Sequence, residues 1–256
     1  MTVGTHLELI KNNAYQRDLT ISNSISTLQR RLNSCFPGQL HSHFKFGSFT
    51  RDTMLPRSYD PKSDVDYMVV FNNVIYTPQT YLNKLKNFAS RYYSTSELKQ
   101  SHPTIQLNLN HITFELVPAS YSGLFGYQIP SKNDLTGKWM NTDPNAFNSE
   151  LTICNRNNSS MIKPLIRILK YWNANAGHVF DSYELEKIIV KFNFYWCSTL
   201  KDYFYTAVQQ LPDFHYMQAW KQERISRLKS CISLAKHYEQ QGNHFLAETE
   251  IKKVIP

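Results

Sequence analysis

The sequence predicts an α+β protein in which a sheet-containing lobe, residues 1–156, precedes an all-helical lobe, residues 157–256. Three observations carry this. Asp64-Val-Asp-Tyr-Met-Val-Val-Phe71 runs into a β-branched, apolar stretch with the character of a central strand. Thr104 to Leu109 and Ile112 to Val117 are two shorter strand-like runs that read as a hairpin around Asn110-His111. Residues 160–206 and 214–253 carry long helical patterns with little Gly or Pro.

Taken in order, the chain from Thr5 to about Leu32 has no Pro or Gly, and its apolar residues recur at helical intervals, predicting one long or once-broken helix that Pro37-Gly38 ends. His43 to Phe46 predicts a short strand leading into Gly47-Ser48. A polar connection from Thr50 to Ser63 then reaches the central strand. Pro78 to Tyr93 returns to helical spacing, with Thr77 placed to cap it. After the hairpin, residues 119–160 read as loop-rich, with Gly123, Gly126, Pro130, Gly137 and Pro144. The aromatic run Phe192 to Trp196 and the trio Tyr203, Phe204 and Tyr205 read as helix core.

Composition closes off several classes. At 256 residues, 41% hydrophobic and 14% aromatic, with 8 Gly and 11 Pro, the chain is neither disordered nor collagenous. No apolar run reaches the ~18–20 residues of a membrane span and the first residues lack a signal-peptide layout, so a cytoplasmic protein with no membrane partner is expected. Cys35, Cys154, Cys197 and Cys231 form no CxxC pair and read as buried thiols. The net charge of +8 admits polyanionic partners, nucleic acid among them. It is spread evenly, 15 basic and 11 acidic side chains over residues 1–156 against 13 and 9 over 157–256, so no concentrated basic arm is indicated.

The chemistry concentrates near the central strand. Asp64 and Asp66 are two apart, so both carboxylates leave the same strand face about 6–7 Å from one another. That spacing suits two divalent cations ~3.5–4 Å apart, which clamp the attacking and leaving oxygens of a phosphoryl displacement and select hard carboxylate ligands. Glu115 alternates with Ile112, Phe114 and Leu116 and supplies a third carboxylate opposite the apolar face; alone, it would equally suit a solvated strand position. Gly47-Ser48 stands before a segment, Phe49 to Leu55, with helical capacity whose free N–H groups would meet an anion; alone, Gly-Ser is a common turn. Lys163, Arg167 and Lys170 fall at i, i+4 and i+7 on a helix, a pattern shared by anion sites and solvated faces. His41-Ser-His43 has chelating spacing but no further ligand, and is read as a surface pair.

Phe46-Gly-Ser-Phe-Thr-Arg-Asp-Thr53 followed by Ser63-Asp-Val-Asp-Tyr-Met-Val70 resembles the signature of the polymerase-β-like nucleotidyltransferase superfamily. The 15 residues between Ser48 and Asp64 slightly exceed the usual gap, and Arg57 to Lys62 looks like an insertion. Further matches follow in Glu115-Leu-Val-Pro-Ala119, Gly137-Lys-Trp-Met-Asn-Thr-Asp-Pro144, Lys163-Pro-Leu-Ile-Arg-Ile-Leu-Lys-Tyr-Trp-Asn173 and Ser182-Tyr-Glu-Leu-Glu186. Together they resemble the bacterial cGAS/DncV-like group, also called CD-NTases or SMODS enzymes, over nearly the whole chain.

The resemblance implies a mixed, mainly antiparallel sheet lobe, a helical lobe, and nucleotides in a cleft between them. It implies Mg²⁺, or Mn²⁺, on Asp64, Asp66 and Glu115, Gly47 and Ser48 at phosphate, Lys170 on the donor triphosphate, Ser182 at phosphate and Tyr183 stacked on a base. The usual third carboxylate is more often Asp. The implied reaction joins nucleoside triphosphates into a cyclic or linear oligonucleotide second messenger with release of pyrophosphate, read by a separately encoded effector in antiviral defence. Two alternatives stand beside it: transfer of a nucleotide to a protein or RNA acceptor, as in toxin–antitoxin systems, and a non-catalytic nucleic-acid-binding module. Asp181 or Ser182 would also serve simply as a helix cap.

Overall fold

In a computed structural model of the chain, residues 2–15, 19–72, 75–101, 103–123, 126–131, 138–212 and 217–256 are described. Two compact units emerge, and both are discontinuous in sequence: a helical unit of Met1–Gln16, Asp52–Pro61 and Phe147–Pro256, and a sheet unit of Arg17–Arg51 and Lys62–Ala146. This differs from a single division after residue 156. The N-terminal helical stretch is once broken, into α1 (Val3–Asn13) and α2 (Leu19–Cys35), and its halves go to different units.

The sheet unit is built on β1 (Leu40–Lys45), a one-turn α3 (Gly47–Thr50), β2 (Asp64–Phe71), α4 (Pro78–Tyr92), β3 (Glu97–Ser101), β4 (Thr104–Asn108), β5 (Thr113–Ser122), β6 (Gly126–Pro130) and β7 (Trp139–Thr142). The sheet order is β1-β2-β5-β4-β3, with β6 pairing β5 and β7. Among the described residues only β2 and β5 run parallel and the other pairs are antiparallel, as expected of a mixed sheet.

Strand alternation gives this sheet two unlike faces. Val65, Tyr67, Ile105, Leu107, Phe114 and Leu116 are all fully buried on one of them, and α4 lies against β4 and β5 with Leu82, Leu85 and Phe88 buried. Each such side chain contributes about 1.5–3 kcal/mol on burial, so this face anchors the unit. The other face is divided along its length. Its far end is apolar, with Met68, Val70 and Ala119 packed against Phe44, Phe46, Tyr127 and Ile129; its near end carries Asp64, Asp66, Thr113 and Glu115.

The helical unit adds α5 (Ala146–Asn157), α6 (Ile162–Asn175), α7 (Ser182–Val190), α8 (Leu200–Gln210), α9 (Ala219–Gln240) and α10 (His244–Lys252). Val3, Leu7 and Ile10 are spaced to face one side of α1, and they join Leu165, Ile166, Leu169, Phe204 and Ile251 in one core. Burial of that stripe is why α1 belongs with helices α6, α8 and α10. His6 Nε2 meets the Ile255 carbonyl at 2.8 Å, tying the two ends of the chain together.

Several expectations need correction. The described residues within 119–160 are less loop-rich than expected: they hold the end of β5, β6, β7 and α5, while Gly137 lies outside the described residues. Tyr203, Phe204 and Tyr205 are core, as is Phe194, but Tyr195 and Trp196 are 87% and 96% exposed on the connection between α7 and α8. The cysteines are free thiols, yet only Cys231 is fully buried. Among the described residues, no helix is long and apolar enough to cross a membrane.

Candidate active site

Gly47 is where the site begins. Its φ of 71° lies in the left-handed region, which lets the chain turn directly out of β1 into α3. The Phe46 N–H donates to the Asp66 carbonyl at 3.0 Å, fastening the turn to β2. Thr50 Oγ1 and the Arg51 N–H both donate to the Gly47 carbonyl, at 2.9 and 3.3 Å, closing the single helical turn that contains Ser48. A Cβ at Gly47 would fall on the Asp66 carboxylate. The glycine is therefore required twice, by backbone conformation and by the space the carboxylate occupies.

Register assembles the acidic group. In the parallel β2–β5 pair, Asp66 is the partner of Glu115 and Asp64 the partner of Thr113, so the three carboxylates leave one face of two adjacent strands, with ~4.8 Å between strands. The antiparallel β4–β5 pair sets Gln106 beside Glu115 and Asn108 beside Thr113. Two polar rungs result: Asp66, Glu115, Gln106, and Asp64, Thr113, Asn108. Gln106 Nε2 donates to Glu115 Oε1 at 2.7 Å, and Thr113 Oγ1 donates to Asn108 Oδ1 at 2.7 Å. Asp64, Asp66 and Glu115 are all partly exposed, as groups that meet a ligand must be.

Gln106 was missed in the sequence, although its signal was present. A two-residue turn at Asn110-His111 pairs positions whose numbers sum to 221, which sets 106 opposite 115. The Leu109 N–H to Ile112 carbonyl bond, 2.9 Å, closes that turn.

Divalent-metal fit rests on the donor set. Three carboxylates on one face, one of them seated over the hole left by a glycine, offer hard oxygen ligands of the kind Mg²⁺ takes. As their side chains stand, no group of three or more His, Cys, Asp or Glu among the described residues is gathered around one point as a metal would gather it. Glu115 retains acceptor capacity beyond its bond to Gln106.

Behind the face, His43 is held between Tyr67 and Asn33, at 2.8 and 2.9 Å. Both contacts are satisfied by a neutral imidazole whose Nε2–H donates to Asn33 Oδ1 while the Tyr67 hydroxyl donates to Nδ1. Burial pushes the Tyr67 phenol up to about 12 and lowers the His43 imidazole from its ordinary value. His41 stacks on Tyr121 with centroids 4.8 Å apart. The two histidines are thus separately engaged and form no chelate.

The remaining sequence candidates lie in the helical unit. Asp181 is the N-cap of α7, accepting from the Tyr183 and Glu184 N–H groups at 2.9 and 3.2 Å, which settles the capping alternative in favour of Asp181. Tyr183 is 43% exposed, with its ring set edge-on to Phe147 at 5.5 Å; Ser182 beside it is half-buried. Lys170 is different. Its side chain is 6% exposed, its Nζ is 2.6 Å from Glu186 Oε1, and that carboxylate is completely buried. The ammonium is already partnered inside the fold.

Residues 1–155 match the family described as the Second Messenger Oligonucleotide or Dinucleotide Synthetase domain, SMODS. Among curated relatives, a Bacillus cereus protein named "Probable cyclic nucleotide synthase" is 27% identical over 270 residues, spanning 82% of this chain and 80% of its own length. An Acinetobacter "Cyclic AMP-AMP-AMP synthase" is 24% identical over 190 residues, 71% of this chain and 54% of that protein, so the chain matches about half of the latter. Solved structures share the fold at low identity. The Bradyrhizobium diazoefficiens CD-NTase CdnG in complex with GTP gives a TM-score of 0.68 at 10% identity over 97% of both chains. The E. coli CdnC complex with HORMA gives 0.69 at 13% identity over 98% of this chain and 96% of that one.

Proposed function

We propose that this chain, which belongs to the SMODS family, is a metal-dependent nucleotidyltransferase that joins nucleoside triphosphates into an oligonucleotide second messenger, cyclic or linear, releasing pyrophosphate. The observation that carries the reading is the rung formed by Asp66 and Glu115 beside Asp64, set against the space at Gly47. Similarity to relatives named cyclic nucleotide synthases supports the product class.

Asp64 and Asp66 would hold divalent metal, Mg²⁺ or Mn²⁺, with Glu115 completing the ligand set. Bound there, the metal supplies positive charge that stabilises the α-phosphate and leaving group and makes the acceptor hydroxyl a better nucleophile. The protein's part is placement. Asp66 and Glu115 flank the position where the acceptor hydroxyl is oriented, and Gln106 keeps the Glu115 carboxylate from swinging away. Gly47 and Ser48 present backbone N–H groups to phosphate. Ser182 takes a phosphate contact and Tyr183, its ring steadied by Phe147, stacks on a base, a contact worth about 1–3 kcal/mol in nucleic-acid complexes. A separately encoded effector reads the product, in the setting of antiviral defence.

The test uses purified protein, Mg²⁺ or Mn²⁺, and each labelled triphosphate, with products resolved before and after phosphatase. Pyrophosphate and phosphatase-resistant oligonucleotide are expected, and both disappear in Asp64→Ala with Asp66→Ala. Label transferred to the protein or to added RNA would replace the nucleotide acceptor with a macromolecular one. Pyrophosphate release that persists in the double variant would refute the site.

A further inference from the structure

One row of side chains on the acidic face of the sheet has a direction. Register places Asp64 of β2 beside Thr113 of β5, Thr113 beside Asn108 of β4, and Asn108 beside Glu97 of β3. All four leave the same side of the sheet, because paired residues on neighbouring strands share a face. The row crosses three strand spacings, about 14 Å, and ends in a carboxylate on both sides. Only Asn108 and Thr113, between those ends, have hydrogens to give.

Those hydrogens run one way. Asn108 Nδ2 donates to Glu97 Oε2 at 3.2 Å, which turns the amide so that its Oδ1 faces Thr113, and Thr113 Oγ1 donates to that Oδ1 at 2.7 Å. The reverse setting would bring Asn108 Oδ1 against the Glu97 carboxylate, acceptor against acceptor. Glu97, exposed on the last strand of the β1-β2-β5-β4-β3 order, therefore decides where the Thr113 hydrogen goes. A hydroxyl has one hydrogen. Spent on Asn108, it is withheld from Asp64, and any other group that meets Thr113 Oγ1 must itself donate. The neighbouring row is handled in the opposite sense, because there Gln106 gives a hydrogen to Glu115.

We infer that Glu97, Asn108 and Thr113 form a hydrogen-bond chain of fixed direction, set from the sheet edge, that keeps a donor off Asp64 and so leaves its oxygens to a divalent cation. Glu97 and Asn108 are positioning residues acting through Thr113. The inference rests on the reading of Asp64 as a metal ligand. A hydroxyl bonded to a carboxylate is held by a charge-assisted bond, and it occupies an oxygen that a hard cation takes as ligand. A metal entering a site with the chain reversed has to break that bond first.

The test reads two quantities on isotope-labelled, full-length protein: the displacement of the Asp64 carboxyl-carbon resonance between light and heavy water without metal, and Mn²⁺ affinity by calorimetry. A hydroxyl that donates to the carboxylate adds to that displacement when its hydrogen is exchanged. Asn108→Leu is expected to enlarge the displacement at Asp64 and to weaken Mn²⁺ binding on the order of tenfold, the scale of one hydrogen bond to a charged group. Adding Thr113→Val removes the extra displacement and returns affinity to within about threefold of wild type. Asn108→Asp, which still accepts from Thr113, keeps the wild-type displacement. Glu97→Gln, at an exposed position, permits either direction and gives an intermediate displacement, and it decides the chain even if the Asn108 variants do not fold. An unchanged resonance in both Asn108→Leu and Glu97→Gln overturns the chain. A loss of affinity in Thr113→Val alone as large as in Asn108→Leu makes the hydroxyl a contributor to the metal and overturns the withholding role. If wild type binds Mn²⁺ no better than Asp64→Ala with Asp66→Ala, the metal reading fails, while the carbon resonance still decides the direction of the chain.

Discussion

Two sets of regularly spaced charges run through this molecule, and they have opposite fates. On the β2–β5 face, Asp64, Asp66 and Glu115 are partly exposed and stand side by side, with like charges adjacent. On α6, Lys163, Arg167 and Lys170 are engaged by Asp52, Thr53 and Glu186, and the last two cations are buried. Adjacent like charges repel one another, which favours a bound ion of opposite sign; the buried cations of α6 are held by groups of the fold itself. The lesson is that charge periodicity alone does not separate site from scaffold, whereas burial against a counter-charge marks the last cation of the α6 set as held within the fold.

The contrast is sharpest in what each set controls. Asp66→Asn should cost on the order of 10³-fold in pyrophosphate release while leaving the denaturant midpoint nearly in place, because Asn keeps the shape of a side chain that is partly exposed. Glu186→Ala should do the reverse at first sight: it strands the buried Lys170 ammonium and lowers unfolding free energy by about 3–5 kcal/mol. Equilibrium unfolding of both variants decides the matter, and equal destabilisation by the two would erase the distinction drawn above.

A smaller effect is expected at the glycine. Gly47→Ala forces a methyl into the space of the Asp66 carboxylate at a positive φ, and activity should fall by on the order of 10²-fold with a loss of stability of about 1–2 kcal/mol. Retained activity would mean that Asp66 does not need its present position. Smaller again, Gln106→Leu removes the donor to Glu115 Oε1 and should lower kcat about fivefold, the equivalent of one hydrogen bond of roughly 1 kcal/mol. An unaltered kcat would detach Gln106 from the site.

The smallest effect concerns pH. Burial lowers the His43 imidazole below its ordinary 6.5, so as pH falls through that region the unfolded chain takes up the proton before the folded one does. Stability contributed by neutral His43 is therefore complete above the unfolded value and declines toward pH 5. His43→Gln should flatten the slope of unfolding free energy between pH 7 and 5; an unchanged slope would assign acid sensitivity to other groups.

The carboxylates and the central strand were legible because a β-branched run opening on Asp-x-Asp is both a strong strand signal and a chemical one. The hairpin was legible too, and with it the register that joins Gln106 to Glu115. Strands β3, β6 and β7 were not. Glu97–Ser101 has no buried apolar residue and exists as a strand because β4 supplies its hydrogen bonds, which no local pattern encodes. Helix α5 buries only Phe147 and Leu151, too thin an apolar stripe to stand out between turn residues. The role of α6 was hidden for a related reason: Lys170 finds Glu186 sixteen positions away and Thr53 more than a hundred positions back, so its neutralisation is a property of tertiary structure.

The interleaved chain carries a practical consequence. Because α1, the connection at 52–61 and the C-terminal helices share one core, neither unit is a continuous stretch of polypeptide. A fragment beginning at residue 157 would lack Val3, Leu7, Ile10 and Leu55 and would expose the apolar surface they cover. Neither unit can be cut from the chain as one continuous segment, because each is assembled from separated stretches of it.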